Sequence, residues 1–547
     1  MRLTDHKPLS LLYGATASAF LLVGFLLMLL LRWQLAWPGQ PIAIATAIFG
    51  EANAPGGVLL PEFYYQLVSM HGSVMIFLAV VPLATAGFGG YLVPLQIGAR
   101  GLAFPRLSLA GYAIYLAAGL LMLASFVLPG GAANSGWTSY PPLAVIASSG
   151  QTWWLAGIVL LGVSSMLWAI NLLATVVAYR APGMTLLRMP FFVWAQAVTA
   201  LLLLLAFPAL QAAAVFQWMD RAVGTSFFLP SGLAVSNVPL EVSGGGNPLL
   251  WQHLFWFLAH PEVYVLVLPA MGIVAEVLTA HARRPLWRYG LMVNAIGALG
   301  GWSLVVWAHH MFLTGMGTTL SSFFQVTTMV VSVPSVIVLT CLVVTLWGGA
   351  IRFTTAMCFA LAFLPMFGLG GVTGLPLGLG PSNVVLHDTY YVVGHFHYLV
   401  APGTLFAIFA GLYHWFPKLT GRRLNERLGL VHFVGSFVTM NAVFLPMFLM
   451  GLMGVNRRLY DAGMASALAA PSVSWNPHMT WNAVALGLFQ LVFLWNIHWS
   501  ARRGEPADNP WLATTLEWTT TSPPPSGNFA DEPVVSGPPY RYEESPA

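Results

Sequence analysis

The 547-residue chain is 58% hydrophobic and only 7% charged, with a mean hydropathy of +0.76. Those values exclude the string of soluble domains that its length would otherwise allow, and define a polytopic membrane protein. A net charge of +4, scattered over segment ends rather than clustered, argues against a nucleic-acid partner. Two cysteines inside apolar runs, Cys341 and Cys358, support neither a disulfide framework nor a thiolate metal site and read as packing residues.

Arg2 and Lys7 precede an apolar run from Leu9 to Leu31. It is long enough to span and is followed by no clear small-residue cleavage site, so it predicts a first membrane helix rather than a leader. Further runs of spanning length, roughly 20 residues, are centred at about residues 78, 117, 165, 203, 265, 300, 335, 362, 402, 440 and 490. The expectation is an all-α fold of twelve transmembrane helices, which puts both termini on one side. That side holds 16 of the 21 basic residues. Arg32, Arg221, Arg457 and Arg458 fall on the other, and Arg541 lies beyond the last helix. By the positive-inside bias both termini are cytoplasmic. Residues 1–503 then form one helical domain. From 504 to 547 the chain turns polar and proline-rich, with "TTTSPPPSG" and "SGPPYRYEESP", and predicts an extended or disordered cytoplasmic tail.

Fourteen histidines are present. His6, His281 and His498 sit at segment ends, but His71, His253, His260, His309, His310, His395 and His397 lie deep in predicted spans. One intramembrane histidine can be satisfied by a backbone carbonyl; several together mark a functional site. In "VVGHFHY", His395 and His397 are two residues apart, about 200° around a helix, so one helix can ligate two centres on opposite flanks. Imidazole is a common haem ligand, and His71, in "SMHGSVMIF", could supply a second axial ligand to one of them. In "LAHPEVYVLVLP", His260 and Tyr264 share a helix face while Glu262 points roughly the other way. His309 and His310 are adjacent, and a regular helix would splay them by about 100°. They can reach one ion with His260 only where the backbone is irregular; three imidazoles suit copper, and also zinc.

The stretches "WQHLFWFLAHPEVYVLVLP", "HHMFLTGM", "LHDTYYVVGHFHY" and "GLMGVNRRLYD", in this order and separation, resemble subunit I of the haem–copper terminal oxidases, in the cytochrome c oxidase branch. The resemblance runs from about residue 5 to 503. It implies that family's twelve-helix fold, with His71 and His397 on a low-spin haem, His395 on a high-spin haem (of a type), and copper on His260, His309 and His310. It also implies a covalent bond between Tyr264 and His260, with Tyr264 supplying an electron and a proton when the O–O bond breaks. Arg457 and Arg458 match arginines that neutralise haem propionates, a task suited to paired guanidiniums. Arg32 matches the arginine near the low-spin haem's formyl group, and Trp137 and Trp256 match aromatics beside the haems. His387 and Asp388 resemble an outer magnesium site completed by a partner's carboxylate.

The chain departs from that pattern where protons enter. Gly101 stands where the family has an aspartate, Gly90 and Ser108 where it has asparagines, and Val338 where it has a buried lysine. Glu262 is retained, in an apolar setting that suits a proton carrier. Ser332, Ser335 and Thr340 are the expected hydroxyl chain toward Tyr264, unless they bond back to their own helix. The expected function is a respiratory terminal oxidase in the bacterial cytoplasmic membrane that reduces O2 to water, takes up protons from inside and pumps them. The alternative is a nitric oxide reductase of the same superfamily, with iron for copper and extra carboxylates beside the histidines. No cysteine pair suits a dinuclear copper site and no CxxCH motif occurs. Electrons must therefore come through a subunit II-like partner with its own copper or haem, fed by cytochrome c or by quinol, within a complex of further membrane subunits.

Overall fold

The computed structural model describes residues 4–235, 237–240, 244–461 and 470–542. Every predicted apolar run becomes a membrane-length helix. In chain order these are α1 (His6–Ala36), α2 (Pro61–Gln96), α3 (Pro105–Val127), α4 (Gly150–Ala178), α5 (Phe191–Ala222) and α6 (Pro248–Ala282), then α7 (Tyr289–Thr314), α8 (Gly317–Thr345), α9 (Thr355–Leu377), α10 (Tyr390–Thr420), α11 (Glu426–Leu452) and α12 (Pro471–Arg503). In hydrocarbon a helix satisfies its own backbone, so only the ends need side-chain help. Pro61, Pro105 and Pro248 occupy first-turn positions that have no amide to lose. Asp5, Asn247, Thr354, Thr389 and Asn425 each accept a hydrogen bond from a first-turn amide.

Burial sorts the helices into a centre and a rim. The most apolar stretch of α6 is 89% buried, against 22% for α1 and 28% for α12, so α6 is the axis around which the others pack. The helix that carries His260, Glu262 and Tyr264 is thus the one farthest from lipid. Regular α geometry breaks at π-helical turns at Val74–Val80 and Leu83–Gly89 in α2 and at Val400–Leu405 in α10, and at 3₁₀ stretches at Ser125–Val127, which closes α3, and at Trp307–Thr314, which closes α7. Three of them adjoin a deep histidine: His71, His397, and the His309–His310 pair. Such irregularities recur at functional sites because they re-aim side chains that a uniform helix would stack elsewhere.

The described residues after Arg503 include a 3₁₀ turn, Leu516–Thr519, and run mostly as an irregular strap across one end of the bundle. Trp511, Trp518, Tyr540 and Tyr542 anchor it as buried side chains. Gln96 and Trp415 donate hydrogen bonds to Glu517, and Tyr540 donates to Oε1 of Glu276 on α6 at 2.7 Å. Lys7 and Lys418 donate to the strap carbonyls of Pro525 and Thr520. Its composition resembles that of a disordered tail, yet these aromatics give it enough apolar surface to bury. Replacing Tyr540 by Phe removes the hydroxyl donor to a buried carboxyl. It should lower stability in detergent by about 1–3 kcal/mol, read as a shift of the denaturation midpoint; an unchanged midpoint would show that the strap does not pack this way.

Candidate metal centre

His309 and His310 lie on the 3₁₀ stretch of α7, which turns at Met311 (φ −125°). This is the local irregularity that two adjacent histidines need if they are to serve one ion. Nε2 of His310 is 3.2 Å from Nε2 of His309 and 3.4 Å from Nδ1 of His260, and the three ligand nitrogens all lie within 4.8 Å of one another. An ion about 2.0–2.1 Å from each nitrogen, at angles between trigonal and tetrahedral, would set them roughly 3.3–3.6 Å apart. One hydrogen cannot satisfy three converging nitrogens, whereas one cation can. The outer nitrogen of His309 is held by the Thr328 hydroxyl at 2.9 Å. Trp256 stacks flat on His310, with ring centres 3.8 Å apart, and donates its indole N–H to the hydroxyl of Tyr140. The Tyr264 ring lies edge-on to His260, 5.2 Å between centres. With Nδ1 of His260 turned to the cluster, its buried Nε2 has no hydrogen-bond partner.

The three remaining deep histidines share one device. His71 donates from Nδ1 to the Gly24 carbonyl at 2.8 Å, His397 to Val393 at 2.8 Å and His395 to Gly370 at 2.9 Å. A ring whose Nδ1–H is spent on a carbonyl presents Nε2 as a bare lone pair, the form that binds a metal. The two α10 rings leave opposite flanks. His395 lies against α9, where Thr373 also approaches its Nδ1 at 3.3 Å, and His397 stacks on Phe444 of α11 with centres 4.5 Å apart. His71 and His397 are close enough to interact electrostatically, as are His395 and His309. The donor set therefore fits a bis-imidazole iron on one flank and a mono-imidazole iron beside the three-histidine cluster on the other.

One end of these helices carries the charged residues. Arg457 grips Asp388 from Nε at 2.7 Å, and His387 lies 3.6 Å from the same carboxylate. Burial opposes the charge on Asp388, but Arg457, backed by His387 and Arg458, holds its carboxyl below the usual range. Burial, reinforced by the charge of Arg457, brings Arg458 down to about 10, and one of its nitrogens has no partner. Arg32 is 3% exposed, donates to Thr480 and to the Asn476 carbonyl, and keeps a further nitrogen unpartnered. Buried guanidinium nitrogens left in this state are what acceptors on a bound group would satisfy. Trp137 packs edge-on against Trp256, with centres 6.2 Å apart. His253, the seventh deep histidine, instead accepts from the indole of Trp307 at 3.3 Å and stands outside the cluster.

The expected hydroxyl chain on α8 does not assemble. Thr340 is exposed; Ser332 and Ser335 are half-buried, and Ser335 turns its hydroxyl back to the Val331 carbonyl. The period of α8 places residue 340 on the rim, facing away from α6. Glu262 is 2% exposed with one carboxylate oxygen unpartnered. Sequence reasoning missed the supports of the histidines: Thr328, Thr373, Tyr140 and the carbonyls of Gly24 and Gly370. Nothing in the pattern marks a carbonyl as a ligand's partner, although glycines at 24 and 370 hint at close approach.

Twelve spans that bring the ligand nitrogens of His260, His309 and His310 within 4.8 Å of one another inside the bundle define an intramembrane protein with a candidate metal centre. The cytochrome c and quinol oxidase polypeptide I family matches residues 9–488. Cytochrome c oxidase subunit 1 of Thermostichus vulcanus is 42% identical over 542 residues, 98% of this chain and 91% of that protein. The alternative cytochrome c oxidase subunit 1 of Bradyrhizobium diazoefficiens is 41% identical over 546 residues, 98% and 89% of the two chains. Cytochrome c oxidase subunit 1 of Bacillus subtilis is 38% identical over 536 residues, 97% and 81%. A solved haem–copper terminal oxidase dimer shares the fold, with a TM-score of 0.71 at 19% identity over 92% of this chain and 86% of that one. The chain belongs to the cytochrome c and quinol oxidase polypeptide I family, the catalytic subunits of haem–copper oxygen reductases.

Gly374 on α9 tests where the His395 ring sits. A β-carbon there would lie 2.7 Å from Cε1 of His395. Gly374→Ala should push the ring off its bond to Gly370 and alter the reduced and carbon monoxide spectra, while leaving the low-spin signal of the other flank unchanged. Identical spectra would mean that His395 does not hold a haem from this position.

Proposed function

We propose that this chain is the catalytic subunit of a cytochrome c oxidase. The observation that carries the reading is the convergence of His260, His309 and His310 beside His395, with Tyr264 against His260. His71 and His397 would hold a low-spin haem, His395 a high-spin haem of a type, and the three-histidine cluster a copper ion. Those groups, when bound, supply the O2-binding site and the electrons that reduce O2 to water. The nitric oxide reductase alternative requires carboxylates among the metal ligands, and among the described residues none joins the three imidazoles.

The chain's own side chains do the rest. Thr328 and Trp256 fix the orientation of His309 and His310, so the ligand nitrogens need no rearrangement when they bind. Tyr264 holds a phenolic proton next to His260, and the free Nε2 of His260 is the nitrogen available for the covalent bond that the family resemblance implies. Glu262, buried with an unpartnered oxygen, carries protons toward the centre. Arg457 and Arg458 neutralise the propionates, Arg32 lies by the low-spin haem, and His387 with Asp388 offers a magnesium position that a partner subunit would complete. Apolar packing around α6 keeps bulk water out, which limits loss of partly reduced oxygen. Electrons arrive from cytochrome c through a subunit II-like partner. The complex sits in the bacterial cytoplasmic membrane with both termini of this chain inside, takes up protons from that side and pumps.

Purified with its partner subunits, the protein should contain two irons and one copper per copy of this chain, bind carbon monoxide at one haem, and consume oxygen faster with reduced cytochrome c than with quinol. His309→Ala should abolish copper binding and turnover and leave the low-spin spectrum intact. Iron in the third metal position, or zinc, would sink the proposal. In the same preparation, Glu262→Gln should slow turnover by roughly 10²–10⁴-fold, the usual contribution of a positioned proton carrier, with metal content unchanged; unaltered turnover would remove Glu262 from the proton path.

A further inference from the structure

The three histidines held by carbonyls are not held alike. Val393 lies one turn before His397 on its own helix, and Gly24 of α1 faces His71 of α2. Among the described residues, neither of those carbonyls receives a side chain other than its imidazole. The Gly370 carbonyl on α9 receives two. Nδ1–H of His395 donates to it at 2.9 Å, and the hydroxyl of Thr373, three residues further on, lies within donating distance of the same oxygen at 2.9 Å. That hydroxyl has a second acceptor at 2.9 Å, the carbonyl of Leu369, and its oxygen stands 3.3 Å from Nδ1 of His395.

A threonine that bonds back to a carbonyl three or four residues before it is ordinary in a membrane helix. Here the habit has a consequence, because the carbonyl is shared. A carbonyl oxygen has two lone pairs, and electron density drawn toward a hydroxyl proton is lost to the imidazole, so each donor is held less strongly than it would be alone. At 3.3 Å the hydroxyl oxygen lies beyond the usual N–H···O range and adds little pull of its own on Nδ1–H. How strongly that N–H is held sets the electron density on Nε2, the nitrogen left bare, and hence its basicity as a ligand. Packing fixes the arrangement. A β-carbon on Gly374 would lie 2.7 Å from Cε1 of His395, and one on Gly370 would lie 2.7 Å from the Leu399 side chain, so ring, carbonyl and hydroxyl meet at a close contact of α9 with α10.

We infer that Thr373 is a positioning residue for the high-spin haem: by sharing the Gly370 carbonyl with His395 it limits the negative charge that the imidazole passes to the iron, and so keeps that haem easier to reduce. The hydroxyl has two settings. Turned to Gly370, it competes with the histidine and lowers the basicity of Nε2; turned to Leu369, it leaves the Gly370 carbonyl to Nδ1–H and raises it. The device stands on the flank where it has most effect. An iron with a single imidazole takes its axial electron density from that ring alone, whereas the bis-imidazole flank averages two. There, the carbonyls of Val393 and Gly24 have no hydroxyl beside them among the described residues.

This inference rests on the oxidase reading, and its test separates the two. In the complete oxidase, Thr373→Val keeps the shape of the side chain and removes the hydroxyl. The Gly370 carbonyl then serves His395 alone, so the iron–histidine stretching band of the reduced high-spin haem, read by resonance Raman, should move to higher frequency. The equilibrium constant for reducing that haem should fall by roughly two- to tenfold, the worth of one neutral hydrogen bond, while the low-spin haem keeps its bands and its potential. Thr373→Ser retains the hydroxyl and should give wild-type values of both readings. A role in packing alone would show the reverse, since serine loses the methyl group and valine does not. Thr373→Ala, which also lacks the hydroxyl, carries the same expectation as valine should that variant fail to assemble. An unmoved iron–histidine band without the hydroxyl, or equal shifts with and without it, would overturn the role of Thr373. A wild-type complex with no five-coordinate haem signal would overturn the oxidase reading instead.

Discussion

A neutral imidazole in hydrocarbon has two nitrogens to satisfy and no water to do it. In this fold one nitrogen is given to the protein and the other is kept bare. Gly24, Gly370 and Val393 offer carbonyls to three histidines, and Thr328 offers a hydroxyl to a fourth. The rings of His71, His395 and His397 are therefore already held in the tautomer that presents a bare Nε2. A carbonyl can accept such a bond only where it is near the ring and not closed off by a side chain. Glycines at 24 and 370 let the facing helices come close, since a β-carbon would meet Met75 at 2.6 Å or Leu399 at 2.7 Å, and that approach brings their carbonyls to the rings of His71 and His395.

The same constraint accounts for the broken helices. A uniform helix repeats every 3.6 residues and cannot aim two neighbouring side chains at one point. The 3₁₀ closure of α7 brings His309 and His310 together, and π turns follow His71 and His397. Where a regular helix does suffice it is used: residues Tyr390–Leu399 are plain α-helix, and there the half-turn between His395 and His397 is what sends one ring to α9 and the other to α11. Two irons held by one stiff segment would keep a fixed separation, which favours rapid electron exchange between them.

Much of this was legible in the sequence because the bilayer enforces simple patterns. Twelve apolar runs predicted twelve helices, since a spanning segment has few other ways to satisfy its backbone. The deep histidines stood out because an ionisable group in such a run needs a reason to be there. What stayed hidden was relational. Thr328, Thr373 and Tyr140 look like ordinary membrane residues until their partners are known. Ser335 and Thr340 look like a polar path until the rotation of α8 shows one bonded to its own backbone and the other on the rim. The segment after Arg503 read as an extended or disordered tail because proline and serine outnumber its aromatics; four buried rings and two lysine contacts tie it down as an extended strap.

Loss of a family residue is ambiguous in one dimension and less so in three. Gly101 and Gly90 read in sequence as two deletions from a proton route. In space the two differ: a β-carbon at 90 would stand 2.5 Å from the Ser10 hydroxyl, whereas at 101 the nearest atom, Nδ1 of His6, is at an ordinary contact distance of 3.6 Å. A side chain at 90 would force the Ser10 hydroxyl to turn away, so the two positions are coupled across the contact between α1 and α2. A proton route depends on which polar atoms occupy a volume, and α1 and α2 both border this one.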